Sequence, residues 1–468
     1  MTAVLERSRT IAEPSRHRSP GPDFPTVAPP PRSRYRSGFW LAAAAFLTAM
    51  AFSTIPTPLY VLYQQRDGFS SFVVTVVFAV YAVGVIIGLL LAGHVSDWMG
   101  RRRILVPALA VEVLAAGLFL LWPAVPGLIV ARFVSGLGIG MITATATAYL
   151  RDLHALARPG AGTGRFEVVS TAANLGGLGI GTLLSGALAQ FVGAPLVVPY
   201  AVFAGLLLLT IVGLGFAPET VQPPAVRPRY RPQHVSFRRG DRATALMAGA
   251  GVFAGFAVFG LFTSLAPGFV SATLHHDSRL LAGVVSFIAF GGATLAQMTT
   301  GRLADRTRML AGILAQAVGL VVVAVAMEDA NLAAFLIGGG LAGAGAGVVF
   351  KSALAAYLGG AEPARRGEAA SSLFFLAYLG LIIPVLGIGI STQFVSSQTA
   401  MWYFAGVLLV ILAAIATLAV GRQGVHRIAQ AAHQRVLGTR SGGHSNLPST
   451  ENVHSAAPCP GVRSVVKT

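Results

Sequence analysis

Apolar residues run along this chain in long unbroken blocks rather than in alternation. Twelve blocks stand out, at about 39–63, 71–92, 104–122, 127–150, 166–191, 196–217, 244–269, 280–300, 309–327, 331–358, 369–395 and 400–420. Each is near the ~20 residues that a helix needs to cross a hydrocarbon core of ~30 Å. Continuous runs point to helices, since barrel strands alternate. The pattern predicts an all-α membrane protein of twelve transmembrane helices. The first block runs about 25 residues, too long for a signal-peptide core, and no A-x-A site follows it, so a retained first span is expected.

The interruptions are as informative as the blocks. Residues 1–37 hold seven Arg and a "PPP" run and lack an apolar period, which reads as a disordered basic arm. The stretch "APETVQPPAVRPRYRPQHVSFRRGDR" is rich in Pro and Arg and cannot span. It divides the chain into bundles at 38–217 and 244–421, joined by a connector at 218–243 and followed by a disordered tail at 422–468. Thirty of the 34 Lys and Arg fall on one side of the predicted alternation and only Arg66 and Arg279 on the other. Arg132 and Lys351 lie within blocks. Cytoplasmic loops collect positive charge, so both termini and the connector are placed in the cytoplasm, and the clean split supports an even number of spans.

Composition agrees. Only 11% of residues are charged, against about a quarter in soluble proteins, and mean hydropathy is +0.70. The net charge of +17 is then a positive-inside bias rather than a nucleic-acid surface. The lone Cys459 excludes a disulfide framework and a cysteine metal centre. Abundant Ala, Gly and Arg suggests a GC-rich bacterial genome, and hence a multi-pass protein of the cell inner membrane.

The two bundles are related. "GHVSD" at 93–97 recurs as "GRLAD" at 301–305, "GLGIG" at 136–140 as "GAGAG" at 343–347, and "LGIG" at 178–181 at 386–389. "TPLY" at 57–60 is echoed by "APGF" at 266–269, and every offset is 207 to 209. Two six-helix repeats in tandem are a common way to build a central site between two halves.

The loop "GHVSDWMGRRRIL" after the second block carries more than anchoring charge. Gly93 permits close helix approach, Gly100 suits a turn with positive φ, and Asp97 at a membrane boundary needs a partner such as a helix N-terminus. Gly93-x-x-x-Asp97-Trp98-x-Gly100-Arg101-Arg102 resembles the loop 2–3 motif of the major facilitator superfamily, G-x-x-x-D-[RK]-x-G-[RK]-[RK], with Trp98 in place of a basic residue. The second copy, Gly301, Asp305 and Arg306, has Arg308 where the family has glycine. The resemblance extends over roughly 39–421. It implies a cytoplasmic gate in which Asp97 meets the start of the eleventh helix near Arg366–Ala370 and Arg101 reaches Asp152.

"ARFVSGLGIGM" resembles the R-x-x-x-G-x-G motif of the drug:proton antiporter branch, with Arg132 leading. Arginine in an apolar helix faces a cavity or a partner, or snorkels; both readings stand for Arg132. Glu112 is the only acid well inside a predicted helix, roughly 12 Å deep. It is either a proton-coupling acid or a hydrogen-bonded structural one. On the fifth helix Gly177, Gly181 and Gly186 resemble the antiporter glycine run, with Thr182 in the proline position, or serve as small packing residues. Pro56 and Pro58 break the first helix, where Thr54, Thr57 and Tyr60 can satisfy freed backbone groups or face a pathway. Pro267 and the row Phe253, Phe256, Phe259 and Phe262 mirror it in the seventh, and Tyr378 is a comparable candidate on the eleventh. Lys351 reads as a snorkelling residue, and Glu219 of "APET" as a partner of nearby arginines.

"GGGLAG" at 338–343 lies inside an apolar block, so it does not bind a nucleotide, and no P-loop or H-E-x-x-H occurs. Neither an ATP-driven pump nor an enzyme is expected, and no cofactor. The expectation is a monomeric secondary transporter, in contact with membrane lipids, for a small, partly hydrophobic molecule. Proton-coupled efflux leads, with the proton gradient as driving force. Proton-coupled or facilitated uptake is the alternative, and a non-transporting sensor is the alternative of another class.

Overall fold

The structure is a computed structural model that describes residues 31–92, 95–221, 242–360, 362 and 366–441. The basic arm up to residue 30, Gly93, most of the connector, Arg365 and the tail beyond 441 lie outside the described residues. Twelve helical segments are long and apolar enough to cross a membrane. They are α1 (Arg32–Asp67), α2 (Ser71–Leu91), α3 (Arg101–Leu121), α4 (Val125–Ala157), α5 (Gly164–Phe191), α6 (Val198–Gly215), α7 (Arg242–Ser264), α8 (Arg279–Arg302), α9 (Asp305–Glu328), α10 (Leu332–Gly359), α11 (Gly367–Ser391) and α12 (Ser397–Ala419). No strand occurs among the described residues. Helix extends beyond the apolar blocks at both ends. It starts at Arg32 on Pro31 and runs from Ser397 to Ser441, a stretch with no proline to stop it.

Each half repeats the same packing. In the first, α4 packs on α1, α2 and α3; in the second, α10 packs on α7, α8 and α9. The recurring glycines explain how. An atom added at Gly84 would lie 2.5 Å from the Phe133 carbonyl and 3.1 Å from the Gly136 Cα, and one at Gly136 would strike the Tyr81 carbonyl. In the second half Gly343 faces the Ala289 carbonyl in the same way. "GLGIG" and "GAGAG" are therefore close-crossing surfaces, where small residues let helix backbones meet.

The halves meet along two helix pairs, α5 with α8 and α2 with α11, which exchange under the internal repeat. Two breaks interrupt this regularity. α1 turns at Thr54 and Ile55 and resumes at Pro56, and α7 stops at Ser264 before a short helix, Ala266–Ala272. α5 carries a π-helical turn at Ala172–Gly176, an inserted residue in a helix whose sequence has no proline.

Candidate functional site

The breaks begin the site, because a proline cannot supply the N–H that an earlier carbonyl needs. In α1, Pro56 has no N–H to give, and the Thr57 N–H goes to the Thr54 carbonyl at 3.1 Å. The Ser53 carbonyl is thereby left without a helical donor, and Arg132 of α4 takes it, Nη1 donating at 2.6 Å. Ser185 of α5 donates to the Ile55 carbonyl at 2.7 Å. In α7, Pro267 frees the Thr263 carbonyl, which accepts from Thr57 Oγ1 at 3.0 Å, across the boundary between the halves.

Arg132 is 1% exposed. Its Nε donates to the Tyr60 hydroxyl at 2.8 Å, and its guanidinium carbon lies 5.5 and 5.0 Å from the Tyr60 and Tyr81 ring centres. None of the ion pairs among the described residues includes it. Glu112 does not reach it. That carboxyl is fully buried between α3 and α4, where Oε2 accepts from Ser135 at 2.9 Å, while Oε1 sits against Gly138 with no hydrogen-bond partner.

A cavity of about 580 Å³ lies between the halves. The first half lines it with hydroxyls, among them Ser53, Thr54, Thr57, Thr147 and Thr171, with Asn174 from the π-helical turn, with Arg132 and with the rings Phe78, Tyr81 and Phe166. The second half lines it mainly with rings: Phe256, Phe259, Phe290, Phe350, Phe374 and Tyr378. These rings hold one another. Phe259 stacks on Phe290 at 5.1 Å and Tyr378 meets Phe256 edge-on at 5.5 Å. Of the phenylalanine row on α7, Phe256 and Phe259 face the cavity, whereas Phe262 packs against Phe335. Tyr60 stands behind the wall as a partner of Arg132.

One end of the cavity is sealed. Besides Thr57 and Thr263, Arg279 at the start of α8 donates from Nη1 to the Ala189 carbonyl at 2.9 Å and from its backbone N–H to Gln190 at 3.0 Å. Gly186 lies against the Arg279 carbonyl and Gly283, and Gly389 of α11 against the Thr75 side chain. The three glycines of the α5 run are all contact points, since Gly177 and Gly181 face the backbone of α1 at Leu47 and Ala51.

The other end bears the arginine cluster and is open, with Asp97, Arg151, Leu358 and Gly367 on its lining. Arg101 is buried and gathers the cluster, bonding Asp97 at 2.5 Å, Ser96 at 2.9 Å and Asp152 at 3.1 Å. Asp97 belongs to the short helical turn Ser96–Met99, its side chain is 61% exposed, and it makes no hydrogen bond to α11 among the described residues. Gly100 has φ +114°, and an atom added there would lie 2.6 Å from the Glu219 carboxylate. That carboxylate accepts from the backbone N–H groups of Arg101 at 2.8 Å and Arg102 at 3.2 Å, closing the start of α3. The Arg102 side chain bonds the carbonyls of Gly215 and Ala217 at the end of α6. Glu219 was expected to meet arginine charge; its main role is to cap a helix, which the "APET" motif alone does not reveal.

The second copy is thinner. Gly301 lies in a short 3-10 turn in open space, and Asp305, nearly fully exposed, pairs with Arg308 at 2.6 Å, beside exposed Arg306. Arg308 also donates to Ser352 at 3.1 Å, so it takes the gathering role where the family has glycine. The Lys351 ammonium donates to the Gln297 carbonyl at 3.0 Å. Sequence reasoning missed Ser53, Tyr81 and Gln297, which contribute through backbone position or tertiary contact and carry no local pattern.

Comparison with known proteins agrees with this architecture. A crystal structure of a mutant of the nucleoside transporter NupG superimposes with a TM-score of 0.59 at 13% identity, covering 82% of this chain and 99% of that one. The crystal structure of the human organic anion transporter MFSD10 (TETRAN) does so with a TM-score of 0.58 at 15% identity, covering 83% of this chain and 100% of that one. No curated protein sequence matches the chain. The family model described as Major Facilitator Superfamily matches residues 41–383. With its twelve apolar helices in two repeated halves, the chain belongs to the Major Facilitator Superfamily, and is a multi-pass membrane transporter rather than an enzyme.

Proposed function

We propose that the protein carries a small, partly hydrophobic molecule across the inner membrane by alternating access, with proton-coupled export as the direction and driving force. The observation that carries this reading is the cavity between the halves. It is sealed at one end by contacts that cross the boundary and open at the other, beside the arginine cluster. By the positive-inside rule the open end faces the cytoplasm. The mixed lining, richer in hydroxyls on the first half and in rings on the second, suits a molecule with a polar end and an apolar body. The arginine motif on α4 and the glycine run on α5 support export, as features shared with the drug:proton antiporter branch.

Uptake is the second reading. It is favoured by Thr182 in the position where the antiporter motif has proline, and by Glu112 facing the α3–α4 contact and not the cavity. Purified protein in vesicles with an imposed pH gradient should move an amphipathic probe against its own gradient, and dissipating the proton gradient should stop it. Flux that ignores the proton gradient leaves facilitation. No flux of any probe favours a sensor.

A further inference from the structure

We propose that the carried molecule is an amphipathic monoanion, its anionic group drawn to Arg132 and its apolar body lodged among the phenyl rings of the second half. The proposal rests on the carrier reading above and adds the charge of the substrate.

Arg132 is a permanent cation held where water is scarce. A guanidinium so placed is costly unless an opposite charge or a full set of acceptors meets it. Here it has neither. Nε and Nη1 have the Tyr60 hydroxyl and the Ser53 carbonyl, while Nη2 has no protein acceptor among the described residues. Arg132 is part of the cavity wall.

The remaining charges narrow the ligand. Asp97 is the only acid on the lining among the described residues; it stands at the open mouth and is already bonded to Arg101. Glu112 is turned into the α3–α4 contact and does not line the cavity. An ammonium ligand at mid-depth would therefore meet no carboxylate and would be repelled by Arg132. A dianion would need a second cation at the depth of Arg132; the other arginine on the lining, Arg151, stands at the open mouth with its side chain 64% exposed, and the internal repeat supplies none deeper. The positions matching Arg132 are Gly339 and Gly340, and Gly339 lies 2.8 Å from the Phe262 ring by the same added-atom measure. Lys351 is bonded to Gln297 and is not on the lining. At mid-depth one cation among hydroxyls, facing the ring-rich second half, is the complement of a single carboxylate or sulfonate on an aromatic or aliphatic body.

Three probes of one shape test this: 4-phenylbutyrate, 4-phenylbutanamide and 4-phenylbutylamine, titrated onto the full chain in lipid nanodiscs. The expected order is carboxylate tightest, by about tenfold or more over the amide, with the amine weakest. In Arg132→Gln the carboxylate should fall to the level of the amide. Phe259→Ala should weaken all three and keep their order, which serves if the arginine variant does not fold. Equal or tighter binding of the amide or amine, no saturable binding of the carboxylate, or an unchanged preference in Arg132→Gln overturns the proposal. Vesicle flux separates the two readings. Anion-selective binding without flux removes the carrier and leaves the site; amide flux with no carboxylate preference removes the site and leaves the carrier.

Discussion

At the scale of single residues, the start of α3 is where sequence and geometry agree most closely. A positive-φ glycine, a helix N-terminus and a carboxylate occupy one small volume around Gly100. Gly100→Ala should cost about 1–3 kcal/mol from backbone strain alone, with further crowding against Glu219. Thermal unfolding in detergent should show it as a clear fall in Tm, whereas Gly117→Ala, in open space within α3, should leave Tm level or raise it. Glu219→Ala should cost about 1–2 kcal/mol by uncapping two N–H groups, and Glu219→Gln less, in the same assay. The sequence marked Gly100, Arg101, Arg102, Asp97 and Asp152 as one group, because a local motif spells most of it. It did not show that Glu219 closes the helix, since that depends on where α6 ends in space.

At the scale of elements, the long apolar blocks and their break points were legible, because proline and hydrophobic length act locally. The use made of each break was not. Nothing near Pro56 says that a residue on α4 will donate to the Ser53 carbonyl, and nothing near Pro267 says that Thr57 will donate to that of Thr263. α5 has Thr182 where the antiporter motif has proline, and a π-helical turn at Ala172–Gly176 interrupts its regular ladder, a feature without a simple residue signature. The α5–α8 contact should be sensitive to bulk. Gly283 faces the Thr182 carbonyl, so Gly283→Leu should force the sealed end apart. Spin labels on cysteines placed at 192 and 277, in a background lacking Cys459, should report a longer distance in the variant. An unchanged distance would mean that this contact does not hold the end shut.

For the whole molecule, Asp97 connects the arginine cluster to the question of which end is open. In this conformation its carboxylate is largely exposed at the mouth and, among the described residues, bonded to Arg101 alone, with α11 across the opening. If its task is to meet α11 on closure, Asp97→Asn should leave the molecule longer in the conformation described. A cysteine at 147, on the cavity wall, should then react several-fold faster with a charged thiol reagent applied from the arginine-rich side. Equal rates would remove Asp97 from the gate. The two-piece form of α1 has a mechanical implication of its own. Its second piece is tied through Thr57 to the opposite half, while the last carbonyl of its first piece holds Arg132 in place. Swinging the halves about each other must load that joint, and any load there reaches the guanidinium by way of one peptide group. A hinge that also carries the acceptor of its own buried cation cannot move without changing how that cation is satisfied, so occupancy of the cavity and the tilt of the halves share a single strand of backbone.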